Sequence, residues 1–254
     1  MGPVRIILAS QSPRRRELLE RMGILNFEII PARGEEVLDP ALPPERLVEE
    51  LSRQKAAEVA AGAVPEDLVI AADTVVAVDG RVLGKPADPE DAVRMLTALS
   101  GREHTVYTGV TIRRGGEEAT EHEATAVRFR PLTPEEIRTY VSTGEPMDKA
   151  GSYGIQGYGC LLVEGIRGDY FNVVGLPVCR LGRMLARFGI EPLALAAEKE
   201  RAQRRPTLRP GKRRHRAGPE RRERRCRLGR RRVPLCVPLW RDGAGAPGPG
   251  EEGG

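Results

Sequence analysis

Apolar positions along the chain fall into short runs of two kinds. Val4 to Ala9, Phe27 to Ile30 and Leu68 to Val78 are continuous apolar or β-rich runs, and each predicts a strand. His104 to Arg113, Ala119 to Phe129 and Leu161 to Ile166 predict three more. Helical spacing holds from Pro13 to Met22, Pro44 to Ala61, Pro89 to Leu99, Pro134 to about Ser142 and Leu176 to Phe188. The helix boundaries carry their own signals. Ser12-Pro13 and Asp88-Pro89 place a capping side chain before a proline at the first helical position, and Thr133-Pro134-Glu135-Glu136 is a capping box. Asp79-Gly80 before Arg81-Val82-Leu83 predicts a hairpin, and Arg114-Gly115-Gly116 joins the two longest strands.

The informative residues are those that break the pattern. Asp73 sits inside the apolar run 68–78, where a carboxylate is costly unless it is paired or bound to metal. Capping of a neighbouring backbone is the structural alternative, and chemistry is favoured. Lys55 falls in the same i, i+4 register as Leu47, Leu51 and Val59, so it either snorkels to the rim or reaches into a site. Arg14 and Arg15 lie in a first helical turn, where the helix dipole disfavours cations. With the free N–H groups of the turn they would cradle a phosphate, although an exposed basic helix start reads the same way. Gly84-Lys85 lacks the glycine spacing of a phosphate loop, which leaves Lys85 as a bare cation on a hairpin exit. Glu36 stands in the loop between Pro31 and Pro44, where glutamates are usually only solvated. The stretch 143–159 holds five glycines among Tyr153, Ile155, Gln156 and Tyr158, and would let backbone approach a ligand closely.

Charge changes the picture at one end of the chain. The 254 residues carry a net charge of +5, but residues 198–254 hold 18 Lys/Arg against 7 Asp/Glu, leaving 23 against 29 before them. An acidic globular body over residues 1–195 is therefore expected, followed by a basic, Arg/Pro/Gly-rich tail over 196–254 with no core-forming pattern, expected to be disordered. The tail reads as a nucleic-acid arm or, as favoured here, an extension without selected function. No apolar run approaches the roughly 20 residues that span a bilayer, and no signal peptide opens the sequence. Four cysteines without metal spacing or disulfide density predict a reduced, cytoplasmic protein with no membrane partner.

Cations, carboxylates and a glycine-rich loop in one domain suit a magnesium-dependent reaction on a polyphosphate. Leu8-Ala9-Ser10-Gln11-Ser12-Pro13-Arg14-Arg15, Ala71-Ala72-Asp73-Thr74-Val75-Val76 and Gly84-Lys85-Pro86 resemble, in order and spacing, motifs of the Maf family. So do Leu99-Ser100-Gly101 with His104, and Asp148-Lys149-Ala150-Gly151-Ser152-Tyr153-Gly154-Ile155-Gln156-Gly157. The resemblance covers about residues 4–190. It implies an α/β fold with a mixed central sheet, flanking helices and two lobes around a nucleotide cleft, as in the inosine triphosphate pyrophosphatases. It also implies cleavage of a nucleoside triphosphate between the α and β phosphates, a homodimer, and Asp73 as the catalytic residue. Arg14, Thr74 and Gln156 match the positions tied to substrate choice, in the form of the subgroup acting on dTTP and UTP.

The residue types give the expected roles. Asp73, helped by Glu36, would hold a divalent cation, Mg2+ or Mn2+, and Asp73 would also orient or deprotonate water. Ser10, Arg14, Arg15, Lys55 and Lys85 would bind the substrate's phosphates, and Thr74 and Gln156 complete the substrate set. Gln156 offers both donor and acceptor to a pyrimidine edge. Two other readings stand beside this one: a nucleotide-binding regulator of septum formation with little turnover, and a nucleic-acid binder acting through the tail.

Overall fold

The computed structural model of the chain describes residues 4–34, 39 and 41–204. Among them one sheet has the strand order β2-β1-β3-β5-β6-β7, with β4 also pairing to β3. β1 (Ile6–Leu8), β2 (Phe27–Ile29) and β3 (Leu68–Val78) run parallel. β4 (Arg81–Leu83), β5 (Glu103–Arg114), β6 (Glu117–Phe129) and β7 (Val163–Arg167) continue the sheet by antiparallel pairing. The division follows from the connections. Helices α1 (Pro13–Arg21) and α2 (Pro44–Ala60) are crossovers, whereas the two-residue turns between β3 and β4 and between β5 and β6 can only return the chain antiparallel. At the β3–β4 turn Asp79 and Gly80 both take positive φ, 50° and 72°, the pairing that matches strand twist. The mixed α/β sheet is therefore as expected.

β3 is the central strand, and its two-residue period sends side chains into different layers. Leu68, Ile70 and Ala72 pack with Leu18 and Leu19 of α1 and with Leu181 and Leu185 of α6 (Val178–Arg187). Val69 and Ala71 point the other way, to Ala56 and Val59 of α2, and Val75 meets Leu47, Val48 and Leu51. Farther along, Val76 and Val78 join Leu96 of α3 (Pro89–Leu99) and Tyr140 of α4 (Pro134–Ser142) in a second core. Asp73 lies on the α2 face of this strand, and Thr74 on the opposite face.

One edge of β3 is interrupted. β5 pairs along Val69 to Ala77 on one side. On the other, β1 pairs only as far as Ile70 and β4 begins only at Val76. No strand among the described residues covers Ala71 to Val75 on that edge. The gap opens beyond the carboxyl end of β1, from which the chain leaves to one face through α1 and returns over the other through α2. Such a switch of direction leaves a crevice for a ligand.

The approach of α2 to this point depends on one residue. Gly109 of β5 pairs with Asp73, and a Cβ at Gly109 would lie 2.1 Å from the carbonyl oxygen of Val48. The helix thus rests on bare backbone there. Lys55, seven residues beyond Val48 on the same stripe, is thereby carried to Asp73.

Two expectations need correction. The helix predicted from Leu176 begins at Val178, and a separate short helix, α5 (Tyr170–Val174), precedes it, because Gly175 takes a φ of 117° and closes α5. The boundary expected at residue 195 falls inside α7 (Pro192–Arg204), whose Ala196 sits against Gly23, leaving 2.9 Å from its Cβ to any Cβ added there. The rest of the basic segment lies outside the described residues. No helix among the described residues is long and apolar enough to cross a membrane.

Gly109→Ala is expected to cost about 3 kcal/mol of stability in urea unfolding, the upper range for overpacking, because backbone and not a flexible side chain must move. A loss below about 1 kcal/mol would show that α2 does not need this close approach.

Candidate active site

A cleft of about 1710 Å3 lies at the gap in β3. The β1–α1 turn, the exit of β4 and the loop around residues 145–157 close around it. Ser10, Arg14, Arg15, Lys55, Asp73, Thr74, Lys85 and Gln156 all line it, so the site residues expected from the sequence converge within the described residues. Glu36 lies outside the described residues.

The turn into α1 forms as its sequence predicts. Ser12 has extended backbone, its hydroxyl accepts from the N–H of Arg15 at 3.4 Å, and Pro13 follows at the first helical position. Ser10 Oγ accepts from the Ser12 N–H and from Arg15 Nη1, both at 3.2 Å. Arg15 also donates from Nε to the carbonyl of Gly175 at 2.8 Å and from Nη2 to Thr74 Oγ1 at 3.0 Å. It therefore ties the turn, the central strand and the end of α5 together, as well as offering charge to the cleft. Arg14 reaches across to Asp148 at 3.5 Å.

Asp73 is buried, at 8 % exposure, and its Oδ1 accepts from Lys55 Nζ at 2.5 Å. The pairing accounts for a carboxylate inside an apolar strand and for the lysine on an apolar stripe. No described residue hydrogen-bonds Oδ2, which is left for water or a ligand. On the other face, Thr74 Oγ1 contacts Thr108 Oγ1 at 3.0 Å, and Thr108 donates to the carbonyl of Asn172 at 3.1 Å. Asn172, fully buried, donates in turn to Val106 O and Thr125 Oγ1, each at 3.0 Å. This hydroxyl–amide scaffold went unrecognised in the sequence, where threonines on alternating strand positions carry no distinguishing signal.

The glycine-rich loop is more ordered than its composition suggests. It folds as three 3-10 turns, Glu145–Asp148, Ala150–Ser152 and Tyr158–Leu161. The Gly151 N–H donates to Gly84 O at 3.0 Å, tying the loop to the β4 exit beside Lys85. Four of its five glycines, Gly144 excepted, make room for protein rather than for ligand. Added Cβ atoms would lie 2.7 Å from Val76 Cγ2 at Gly151, 2.2 Å from Glu145 Oε2 at Gly157 and 2.7 Å from Gly154 O at Gly159.

A model of the Maf-like protein family matches residues 5–188. The chain belongs to the Maf family. Among similar proteins, the dTTP/UTP pyrophosphatase of Moorella thermoacetica is 57% identical over 189 residues, covering 74% of this chain and 96% of that relative. The dTTP/UTP pyrophosphatase of Agathobacter rectalis is 53% identical over 203 residues, covering 73% and 98%. Among solved structures, a HAM1 protein from Coxiella burnetii aligns with a TM-score of 0.42 at 17% identity, over 73% of this chain and 100% of that one.

The Maf motif residue His104 supports the site from behind. It is buried, its Nε2 lies 2.8 Å from the Tyr153 hydroxyl, and its ring packs edge-on against Phe129 and Tyr153. Nδ1 has no partner among the described residues. Burial lowers its pKa from 6.5 to about 4. A depressed imidazole pKa means that the unfolded chain takes up a proton before the folded one does. The group thus leaves stability untouched above pH 6.5 and subtracts from it as pH falls toward 4, by about 3 kcal/mol in all. His104→Phe, which keeps a ring in place, is expected to show a shallower fall in unfolding free energy over that window. Identical slopes for variant and wild type would contradict the assignment.

The donor set at Asp73 can be tested against a divalent cation. Among the described residues no three His, Cys, Asp or Glu side chains converge. One carboxylate with a spare oxygen fits a magnesium-type ion, which takes much of its shell from substrate phosphates and water.

Proposed function

We propose that this Maf protein is a nucleoside triphosphate pyrophosphatase acting on dTTP and UTP, yielding the nucleoside monophosphate and pyrophosphate. The observation that carries the reading is the Lys55-paired Asp73 on the floor of a cleft whose walls carry Arg14, Lys85 and Gln156. The relatives named dTTP/UTP pyrophosphatase support the substrate class. Binding without turnover has no use for a half-paired carboxylate among cations, so the regulator reading is the weaker one. Exposed, free Cys160 and Cys179 suit work in the reducing cytoplasm.

The chain's own residues divide the work as follows. Arg14, Arg15 and Lys85, with the N–H groups at the start of α1, bind the triphosphate and offset charge that builds on the leaving pyrophosphate. Lys55 holds Asp73 in one orientation by its grip on Oδ1. The other carboxylate oxygen orients a water molecule toward the α-phosphorus and accepts its proton. A bond forms from water oxygen to the α-phosphorus as the bond to the α–β bridging oxygen breaks, and pyrophosphate leaves with those electrons. A divalent cation would take most of its shell from the substrate's phosphate oxygens and water, with Asp73 as the neighbouring carboxylate, and would neutralise phosphate charge. Gln156 presents an amide N–H and C=O to the alternating carbonyl and N–H groups of uracil or thymine.

Pyrophosphate release from dTTP, UTP, CTP, GTP and dITP, with Mg2+ or Mn2+ present, is expected to be selective for the first two. Silence with folded, nucleotide-binding protein would leave the regulator reading in its place. Asp73→Asn keeps the shape of the side chain and is expected to lower turnover by at least about 10²-fold, the lower range for a positioned acid–base group. Near-normal turnover would remove Asp73 from the mechanism.

A further inference from the structure

No described residue hydrogen-bonds the Gln156 side chain, which is exposed, so its position is set by the loop that carries it. Both ends of the segment Ile155-Gln156-Gly157 hang from one pair of side chains. Before it, the Gly154 N–H donates to Tyr140 Oη at 3.2 Å. After it, the Tyr158 N–H donates to Glu145 Oε2 at 2.8 Å and the Gly159 N–H to Glu145 Oε1 at 3.1 Å. The Tyr140 hydroxyl donates to the same Oε1 at 2.8 Å, which closes the circuit between the two. Lys149 Nζ then grips the Glu145 carbonyl at 2.6 Å, fixing the backbone from which the carboxylate extends.

The fit is tight. Gly157 passes so close to Glu145 Oε2 that a Cβ would stand 2.2 Å from it, and one at Gly154 would stand 2.6 Å from Lys149 Cε. Burial works against ionisation of Glu145, but the Tyr158 and Gly159 N–H groups and the Tyr140 hydroxyl outweigh it and hold its pKa below the ordinary glutamate value. Both carboxylate oxygens are engaged by the protein. Glu145 lines the cleft, yet its donors leave it poorly placed to serve as a phosphate-side ligand, and a carboxylate would repel phosphate.

We propose that Glu145, braced by Tyr140, is a positioning residue for base selection: it sets where Gln156 stands against the nucleotide base without touching the base itself. The inference rests on the pyrimidine preference proposed above and deepens it. A loop held on a carboxylate by two short backbone contacts can keep an amide within hydrogen-bond tolerance. A loop hung on a weaker acceptor drifts by more than that tolerance, and a pyrimidine then loses its advantage over a purine.

The test compares Glu145→Gln and Tyr140→Phe with wild type. Affinities for α,β-imido-dUTP and α,β-imido-GTP would be measured by calorimetry, and kcat and KM for dTTP determined alongside. Glu145→Gln is expected to lower the pyrimidine-to-purine affinity ratio about tenfold and to raise KM for dTTP by a similar factor, with kcat changed far less. Inhibition by inorganic tripolyphosphate, which engages only the phosphate side, is expected to stay within about twofold of wild type. Tyr140→Phe, which keeps the ring packed in its core, is expected to move the same ratio in the same direction by less. An unchanged ratio in both variants, whatever happens to their melting temperatures, would overturn the inference and leave Glu145 a structural residue. A wild type that prefers the pyrimidine analogue yet releases no pyrophosphate would overturn the enzymatic reading alone, and the affinity ratios would still decide the role of Glu145.

Discussion

The contact on which the structure turns is the one between Asp73 and Lys55, 2.5 Å apart in a largely buried setting. Removing Lys55 would leave the buried Asp73 carboxylate without this partner, at a cost of about 3–5 kcal/mol for a buried pair. An apolar pair of similar size would hold the sheet to the helix as well or better, so stability does not explain the choice. Its meaning comes from its place. The pair sits where β1 has ended and β4 has not begun, at the part of β3 open to the cleft. The fold keeps a carboxylate there in one orientation and leaves one of its oxygens for chemistry.

Much of the surrounding architecture serves that contact. Gly109 lets α2 sit directly on the backbone of β5, in register with Asp73. On the other face of the strand, Arg15 links Ser10, Thr74 and Gly175, so the phosphate-side turn cannot shift without moving the strand. Beneath Thr74 the chain of Thr108, Asn172 and Thr125 anchors β3, β5 and β6 to α5 through buried hydrogen bonds. The loop bearing Gln156 is fixed separately, by Tyr140 and Glu145 at one end and by Gly84 at the other. Phosphate-side and base-side groups thus rest on largely different contacts, joined where Arg14 meets Asp148 and where Gly151 meets the β4 exit beside Lys85.

The sequence was most legible where local chemistry decides conformation. Ser12-Pro13, Asp88-Pro89 and the Thr133 capping box mark helix starts that the structure keeps, and Asp79-Gly80 makes its hairpin. Asp73 and Lys55 were legible as violations, each a charge on an otherwise apolar face, though only the fold shows that they violate it together. Residues whose role comes from distant partners were not legible. Tyr140 reads as one more apolar position on an amphipathic helix, and Glu145 as one more polar residue in a loop. Gly109 did leave a trace, since a lone glycine inside a strand signals close backbone approach. In the glycine-rich loop the composition suggests close approach to a ligand, and at Gly151, Gly157 and Gly159 it is Val76, Glu145 and Gly154 that fill the space a side chain would need. Ala196 of α7 sits against Gly23, a partner far away in sequence.

A crystal structure with α,β-imido-dUTP and Mn2+ would test the central claim most directly. The account predicts the triphosphate along Ser10 to Arg15, the α-phosphorus over the free oxygen of Asp73, anomalous scattering beside that carboxylate, and the uracil edge at Gln156. A nucleotide seated with its γ-phosphate over Asp73, or bound away from the gap in β3, would contradict it.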